Sequence, residues 1–108
     1  KRVLPVPDPK TFLYYATRGG ANTLNRSDLG SIEPGKAADI FAIDTRKMEF
    51  IGTLHDPESL IAKVGIAGNV DLTMINGRIV WKNGEFPGLD EQKIVSDAQA
   101  HVHRVVYA

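Results

Sequence analysis

A tight turn that leads directly into a short apolar run constrains the fold of this chain more than any other feature. Within residues 33–36, Pro34 holds φ at about −65° and Gly35 can take the positive φ that follows in a type II turn. The apolar run at residues 40–43 is rich in β-forming residues and ends at Asp44, a pattern typical of a strand covered on both faces. The sequence therefore predicts a turn followed by a short buried strand.

Two acids flank this predicted strand and resemble a catalytic carboxylate pair at first sight. Asp39 precedes the apolar run and Asp44 follows it. On a strand, residues separated by an odd number of positions point to opposite faces, and these two also lie at opposite ends. We therefore predict that both are turn or cap residues whose carboxylates accept hydrogen bonds from local backbone donors.

A β-meander is predicted in the second half of the chain. Residues 70–75 alternate in character along a strand, and Asn76-Gly77 is the dipeptide that favours a two-residue type I′ hairpin turn. Residues 78–82 supply the return strand. A second pair, Asn83-Gly84, turns the chain again toward residues 85–86.

Prolines mark the beginnings of two predicted helices. Three prolines at alternate positions make residues 5–9 an extended linker, after which Asp8 caps a helix that begins at Pro9 and ends at Gly19-Gly20. Residues 20–24 are expected to add a short turn of helix. A second, short helix near residues 57–64 begins at Asp56-Pro57, with Asp56 as its cap, and ends before Gly65. The intervening residues 48–52 are predicted to be briefly extended.

The last twenty residues have a helical pattern. Apolar residues recur three or four positions apart between Ile94 and Val106, while acids lie in the first turn and Arg104 lies near the end, which complements the helix dipole. The sequence predicts an amphipathic C-terminal helix over residues 89–108.

Composition excludes several classes of partner. The chain has 108 residues, enough for one domain, and its 13 basic and 13 acidic residues balance without forming a basic cluster, which argues against nucleic acid. No apolar stretch reaches the roughly 20 residues of a membrane span. The absence of cysteine excludes disulfides and thiolate chemistry and is typical of a cytoplasmic protein.

Several of these motifs together resemble the C-terminal end of the metal-dependent amidohydrolase superfamily. Residues 32–39 (IEPGKAAD) before an apolar strand, followed by residues 70–80 (VDLTMINGRIV), resemble its chlorohydrolase-like and deaminase-like members. Residues 16–21 (ATRGGA) are similar to the passage from the last barrel helix to the accessory sandwich. Together with residues 54–57 (LHDP), they are most similar to the 8-oxoguanine deaminase and hydroxyatrazine-hydrolase-like branch.

The resemblance implies an α+β fragment of a larger fold. Residues 1–26 would supply a linker and the last helix of a (β/α)8 barrel, and residues 27–88 part of the accessory β-sandwich, or composite domain. Residues 89–108 would form a C-terminal helix that clamps the two. Since the chain begins at Lys1 rather than at Met, we expect a processed chain or a piece of a longer one, and we favour a piece, made by design or by proteolysis.

The resemblance also implies a reaction for the longer protein. Members of the family hydrolyse non-peptide carbon–nitrogen bonds with a zinc- or iron-bound water, and the similar branch deaminates an aminopurine such as 8-oxoguanine or a related triazine. The family's metal ligands would all lie upstream of Lys1. The chain would then contain no catalytic, cofactor-binding or metal-binding residue, and its role would be architectural. Its partners would be the missing barrel and, for the longer protein, a small heterocyclic substrate, with a homo-oligomer left open.

The histidines are the tempting candidates for chemistry. The superfamily binds its metal partly through a His-x-His pair, and His101 and His103 reproduce that spacing. On a helix, however, residues two apart point roughly 200° apart, so we predict no metal site there. His55 beside Asp56 resembles a general base with the acid that orients it. Because Asp56 is better explained as a helix cap, a structural role is favoured for His55. A contact of His55 with the barrel or the substrate entrance is left open.

The remaining candidates have structural explanations. Gly19-Gly20 lacks the lysine and serine or threonine of a phosphate-binding loop, and Trp81 on a strand is predicted to be a core residue. The serines show no nucleophile-elbow spacing: Ser27, Ser31 and Ser59.

An independent small β-rich binding or interaction module, without catalysis, is the alternative interpretation. The apolar first helix distinguishes the two. In a self-sufficient module it must fold back on its own sheet, whereas in a fragment it leaves an exposed patch that favours self-association.

Overall fold

The computed structural model describes residues 8–108, which form a helical segment, a small sheet and a C-terminal helix, in that order. Residues 5–7 of the predicted linker lie outside this range. The helices are α1 (Pro9–Tyr14), α2 (Gly20–Thr23) and α3 (Glu91–Val106), and the strands are β1 (Ile40–Ala42), β2 (Leu72–Ile75) and β3 (Arg78–Lys82). Adjacent strands are antiparallel and lie in the order β1-β2-β3.

The first helical segment begins as predicted but runs further. The backbone N–H of Thr11 donates to Asp8 Oδ1 at 3.0 Å, which confirms the cap, and Pro9 is the first helical residue. The predicted end at Gly19-Gly20 is wrong, because a π-helical turn over Tyr15–Gly19 joins α1 to α2 without a break and both glycines have helical φ angles. The short helical turn expected at residues 20–24 is confirmed as α2. The chain leaves the helix at Asn25, whose φ is +53°, and the N–H of Arg26 reaches back to the carbonyl of Ala21 at 2.9 Å. Asparagine thus supplies the left-handed residue that ends the segment.

The turn before β1 and the hairpin after β2 follow the sequence rules. Gly35 has φ +87° and the N–H of Lys36 donates to the carbonyl of Glu33 at 3.2 Å. Asn76 and Gly77 have φ angles of +47° and +79°, both positive as a type I′ turn requires.

The rest of the meander is shorter than predicted. A register shift between Thr73 and Met74 leaves Val80 as an extra residue on β3, so the return strand contains a bulge. Beyond Asn83-Gly84, where the chain does turn, Lys82 and Glu85 form an isolated bridge rather than another strand.

Two expectations for the strand region are wrong. β1 is not covered on both faces by residues 8–108, because Phe41 is 48% exposed. Residues 48–52 are not extended: Met48–Phe50 forms a 3-10 turn that buries Phe50, and this burial overrides the strand preference of the local residues.

Where the sequence predicts a short helix near residues 57–64, the structure has two short helical turns. A 3-10 turn over Pro57–Ser59 leads into a π-helical turn over Leu60–Val64, and Gly65, with φ +75°, ends it. Asp56 occupies the cap position, but its carboxylate accepts from the hydroxyl of Ser59 and the ammonium of Lys63 rather than from a backbone N–H.

The buried core is small for the chain length. Within residues 8–108 the buried apolar side chains are Ala21, Phe50 and Leu60. The radius of gyration is 19.1 Å, whereas a compact domain of about 100 residues has roughly 13 Å. Helix α3 contributes no buried residue in the described part of the chain, and its role as a clamp between barrel and sandwich stays a prediction. No helix in residues 8–108 has the length and apolar character to cross a membrane.

Trp81 is half-buried, so the prediction of a core residue is wrong, although the side chain does pack against its neighbours. Removing it tests that packing. Its Nε1 donates to the carbonyl of Val70 at 2.6 Å, and its ring meets Phe86 edge to face with the centroids 4.8 Å apart. We expect Trp81→Phe to lower the free energy of unfolding by about 1 kcal/mol, because it leaves that carbonyl unpaired. Trp81→Ala should cost about 3 kcal/mol because the ring contact is also lost.

Urea unfolding followed by circular dichroism measures both changes. Tyr107→Phe, at an exposed aromatic position, is the control and should leave stability unchanged. Equal stability of the Trp81→Phe, Trp81→Ala and unsubstituted chains would show that neither the bond to Val70 nor the contact with Phe86 contributes to stability.

Candidate functional site

An apolar groove lies between the first helical segment and β1. It has a volume of about 430 Å³, and we call it the helix–strand groove. Its rim includes Ile32, which is 83% exposed, and Phe41. Its other lining residues come from the helical segment, the loop that follows it and β1: Ala16, Thr17, Gly20, Ala21, Leu24, Leu29, Gly30, Ser31, Asp39 and Ile40.

Close packing at Gly30 fixes the loop against the helix. Gly30 has φ +86°, and a Cβ atom there would lie 2.9 Å from Arg18 Cα and 3.0 Å from Ala21 Cβ. Arg18 also donates to Glu33 Oε1 at 2.8 Å across the same junction. The groove is therefore held in shape by contacts between segments distant in the sequence.

β1 is an edge strand, and the backbone groups on its side away from β2 have no strand partner within residues 8–108. The carbonyl of Ala42 accepts from the N–H of Asp71 at 3.0 Å, and the carbonyl of Ala38 accepts from the N–H of Gly77 at 3.1 Å. Backbone groups of alternate residues on a strand point to the same neighbour, so the N–H and carbonyl of Phe41 face away from β2. Within residues 8–108 no strand pairs with that edge.

Asp39 and Asp44 hold backbone together. Asp39 Oδ1 accepts from the N–H of Asn76 at 2.7 Å, so it ties the start of β1 to the hairpin turn rather than to a local donor. Asp44 accepts from the N–H of Arg46 at 3.0 Å and binds its guanidinium through both oxygens. The guanidinium of Arg46 holds the pKa of Asp44 far below its usual value. The two carboxylates are thus engaged separately. The prediction of a local backbone donor is confirmed for Asp44 and wrong for Asp39, whose donor lies in the hairpin turn.

The sequence analysis missed Asp71, whose carboxylate joins the start of β2 to the chain that follows β1. Asp71 accepts from the N–H of Asp44 at 2.7 Å and from Lys47 Nζ at 2.9 Å, and the first of these bonds is the main reason that its pKa is lowered. Stability that depends on this charge is lost as the pH falls through the lowered pKa. Its position was the signal available in the sequence, because Asp71 is an acid that immediately precedes an apolar strand.

The three histidines lie apart from the groove lining. His55 ends a 3-10 turn and is exposed, while His101 and His103 lie on α3. His101 Nδ1 is 3.3 Å from a guanidinium nitrogen of Arg104, and the His103 ring is 4.8 Å from that of Tyr107. No three histidine, cysteine or acidic side chains in the described residues are placed to hold a metal ion, so the residues present do not fit a zinc or iron centre. That none of the histidines binds metal stays a prediction.

The remaining candidates have local partners. Ser59 donates to Asp56, Ser31 accepts from Lys36 Nζ at 2.6 Å, and Gly19-Gly20 lies inside the helical segment. The sequence analysis did not identify the helix–strand groove, although Ile32, an apolar residue beside a Pro-Gly turn, was a signal for it.

Comparison with known proteins identifies relatives of this chain. The model of the amidohydrolase family matches residues 5–80. Hydroxydechloroatrazine ethylaminohydrolase of Pseudomonas sp. (strain ADP) is 55% identical over 107 residues, which are 99% of this chain and 22% of that protein. An 8-oxoguanine deaminase of Pseudomonas aeruginosa is 35% identical over 92 residues, 85% of this chain and 20% of that protein.

A solved structure is also similar to this chain. The zinc complex of the atrazine chlorohydrolase of Arthrobacter aurescens TC1 superimposes with a TM-score of 0.72 at 32% identity, and covers 86% of this chain and 20% of that one. The chain thus spans about a fifth of the length of the relatives it matches. The similarity predicted from residues 32–39 and 70–80 is confirmed, and the chain belongs to the amidohydrolase family.

Proposed function

We propose that this chain is the C-terminal structural part of a longer metal-dependent hydrolase that cleaves an exocyclic carbon–nitrogen bond of a nitrogen heterocycle. The observation that carries this proposal is the 55% identity to hydroxydechloroatrazine ethylaminohydrolase. Because identity to 8-oxoguanine deaminase is lower, at 35%, an amino- or alkylamino-substituted triazine is favoured over an aminopurine. The protein would act in the cytoplasm.

In this proposal the three segments have separate structural roles. Residues 1–26 form the linker and last barrel helix, residues 27–88 form part of the β-sandwich, and residues 89–108 form the terminal helix. Residues 8–108 offer no group of side chains that fits a metal, so the zinc present in the related chlorohydrolase structure would be held by residues outside this chain.

The exposed apolar surface supports a fragment more than an independent module. The first helical segment does not bury its aromatic residues on the sheet, since Phe12, Tyr14 and Tyr15 are all exposed. The core is small and the helix–strand groove is open. In the longer protein, other segments would fill the groove and pair with the free edge of β1.

Turnover and metal content of two chains test the proposal. The 108-residue chain and the same chain extended upstream through a complete barrel are assayed for bound metal and for release of ammonia or alkylamine. We expect the short chain to bind no stoichiometric metal and to be inert. The extended chain should contain about one metal ion and release an amine from a substituted triazine faster than from 8-oxoguanine. Turnover by the short chain would contradict the architectural role.

A histidine-free variant controls for a hidden metal site. His55→Ala/His101→Ala/His103→Ala in the extended chain should keep its metal, with kcat/KM within about twofold of the unsubstituted protein. Loss of metal from this variant would indicate that one or more of these histidines bind the metal.

A further inference from the structure

The chain contains two Asn-Gly pairs in turns of the same shape. The φ angles are +47° and +79° in Asn76-Gly77 and +51° and +91° in Asn83-Gly84. All four residues are exposed, and apart from the adjacent residues no atom lies within 4 Å of where a Cβ would stand at either glycine. The two pairs have the same residues, the same backbone shape and similar access to water. A difference in their chemistry must therefore come from their hydrogen bonds.

The first pair is bonded to the chain that leads into β1. The N–H of Gly77 donates to the carbonyl of Ala38 at 3.1 Å, and the N–H of Asn76 donates to Asp39 Oδ1 at 2.7 Å. The glycine nitrogen can react only after its hydrogen bond opens. One hydrogen bond of ordinary net strength lowers the population of the released N–H about fivefold.

The second pair leaves its glycine N–H unbonded. Two backbone hydrogen bonds between Lys82 and Glu85, at 2.9 and 3.1 Å, close this turn, and the N–H of Asn83 donates to the carbonyl of Asp71 at 2.9 Å. In the part of the chain that the structure describes, the N–H of Gly84 has no acceptor. No hydrogen bond has to open before this nitrogen reacts.

We propose that Asn83 is a site of spontaneous deamidation, with water as the co-reactant, and that Asn76 is protected from the same reaction by its bonds to the start of β1. Asparagine is a chemically labile residue. The Gly84 nitrogen gives up its proton and forms a bond with Asn83 Cγ, while the Cγ–Nδ2 bond breaks and Nδ2 takes up a proton and leaves as ammonia. Water then opens the cyclic imide. Opening at Cγ gives aspartate, and opening at the backbone carbonyl carbon gives isoaspartate.

The two products affect the turn differently. Aspartate keeps the backbone, and Asp-Gly favours the same turn type as Asn-Gly. Isoaspartate adds a carbon to the main chain, so the turn can no longer close both bonds between Lys82 and Glu85. Phe86 follows directly, and its ring lies 4.8 Å from that of Trp81, so its contact with Trp81 is disturbed as well.

Peptide mapping of the aged chain tests the proposal. The chain, shown to be folded by circular dichroism, is incubated at neutral pH and digested with trypsin, which separates the two pairs because Arg78 and Lys82 lie between them. We expect deamidation at Asn83 to be about fivefold or more faster than at Asn76. In concentrated urea the two rates should become similar, because the hydrogen bonds are lost. Equal rates in the folded chain, or a faster rate at Asn76, would overturn the proposal.

Asp39→Ala tests the protection of the first pair. It removes the acceptor of the Asn76 N–H and loosens the contact between the turn and β1, so deamidation at Asn76 should rise about fivefold while the rate at Asn83 stays the same. Asp97→Ala, on α3, is the control and should change neither rate. An unchanged rate at Asn76 in Asp39→Ala would refute the assigned protection.

Fluorescence follows the structural consequence, because Trp81 is the only tryptophan of the chain. We expect its emission to shift as isoaspartate accumulates at residue 83. Asn83→Asp, which reproduces the other product, should keep the emission of the fresh chain. Emission that stays constant while isoaspartate forms would show that the turn does not position Phe86 against Trp81. None of these results depends on the proposed hydrolase activity.

Discussion

Gly30→Ala is expected to lower the free energy of unfolding by about 3 kcal/mol, the larger of the two stability effects we expect from alanine at a glycine of this chain. The new Cβ would lie 2.9 Å from Arg18 Cα and 3.0 Å from Ala21 Cβ. These are backbone and Cβ atoms of a helix, which cannot move aside as the end of a flexible side chain can. The loop must therefore separate from the helix, and the helix–strand groove changes shape.

Gly35→Ala is the matched control. Gly35 has φ +87°, almost the same as the +86° of Gly30, but nothing lies within 4 Å of its missing Cβ. Alanine there incurs only the penalty for a left-handed φ, about 1 kcal/mol. Chemical denaturation of both variants isolates the steric part as the difference between them. Equal losses would show that the contact between the loop and the helix contributes nothing beyond backbone strain.

Local sequence rules predicted the turns and the hairpin because these depend on few residues. Pro34-Gly35 and Asn76-Gly77 dictate their own backbone angles, and Asp8 with Pro9 begins a helix whatever surrounds it. The same rules failed at Gly19-Gly20, because glycine permits a helix to end without requiring it. The actual end lies at Asn25, which has a positive φ.

Features set by contacts between distant segments could not be predicted. The 3-10 turn at residues 48–50 exists because Phe50 is buried, and the engagement of Asp71 with Asp44 and Lys47 joins segments 24 or more residues apart. The shape of the helix–strand groove likewise depends on the close contact between Gly30 and the first helical segment. Family membership was predictable because it depends on two local motifs in order, whereas their packing does not follow from either motif alone.

Phe41→Glu distinguishes a fragment, in which the rest of the polypeptide fills the groove, from an independent module, in which the groove stays open. The test compares the effect of the substitution in the 108-residue chain and in the extended protein. In the 108-residue chain Phe41 is 48% exposed, so a glutamate there should change the free energy of unfolding by less than about 0.5 kcal/mol. In the extended protein the groove would be filled, and the same change would bury an unpaired charge. We expect the yield of soluble, active extended protein to fall about tenfold or more.

Met48→Glu provides the comparison, because Met48 is 86% exposed and lies outside the groove lining. It introduces the same charge and should be tolerated in both chains, as judged by soluble yield and amine release per milligram. If Phe41→Glu is tolerated equally well in the extended protein, the groove remains open there and is a surface for another partner, as an independent binding module requires. A loss confined to the extended protein would instead mean that Phe41 is covered by the rest of its own polypeptide, since only burial makes the charge costly.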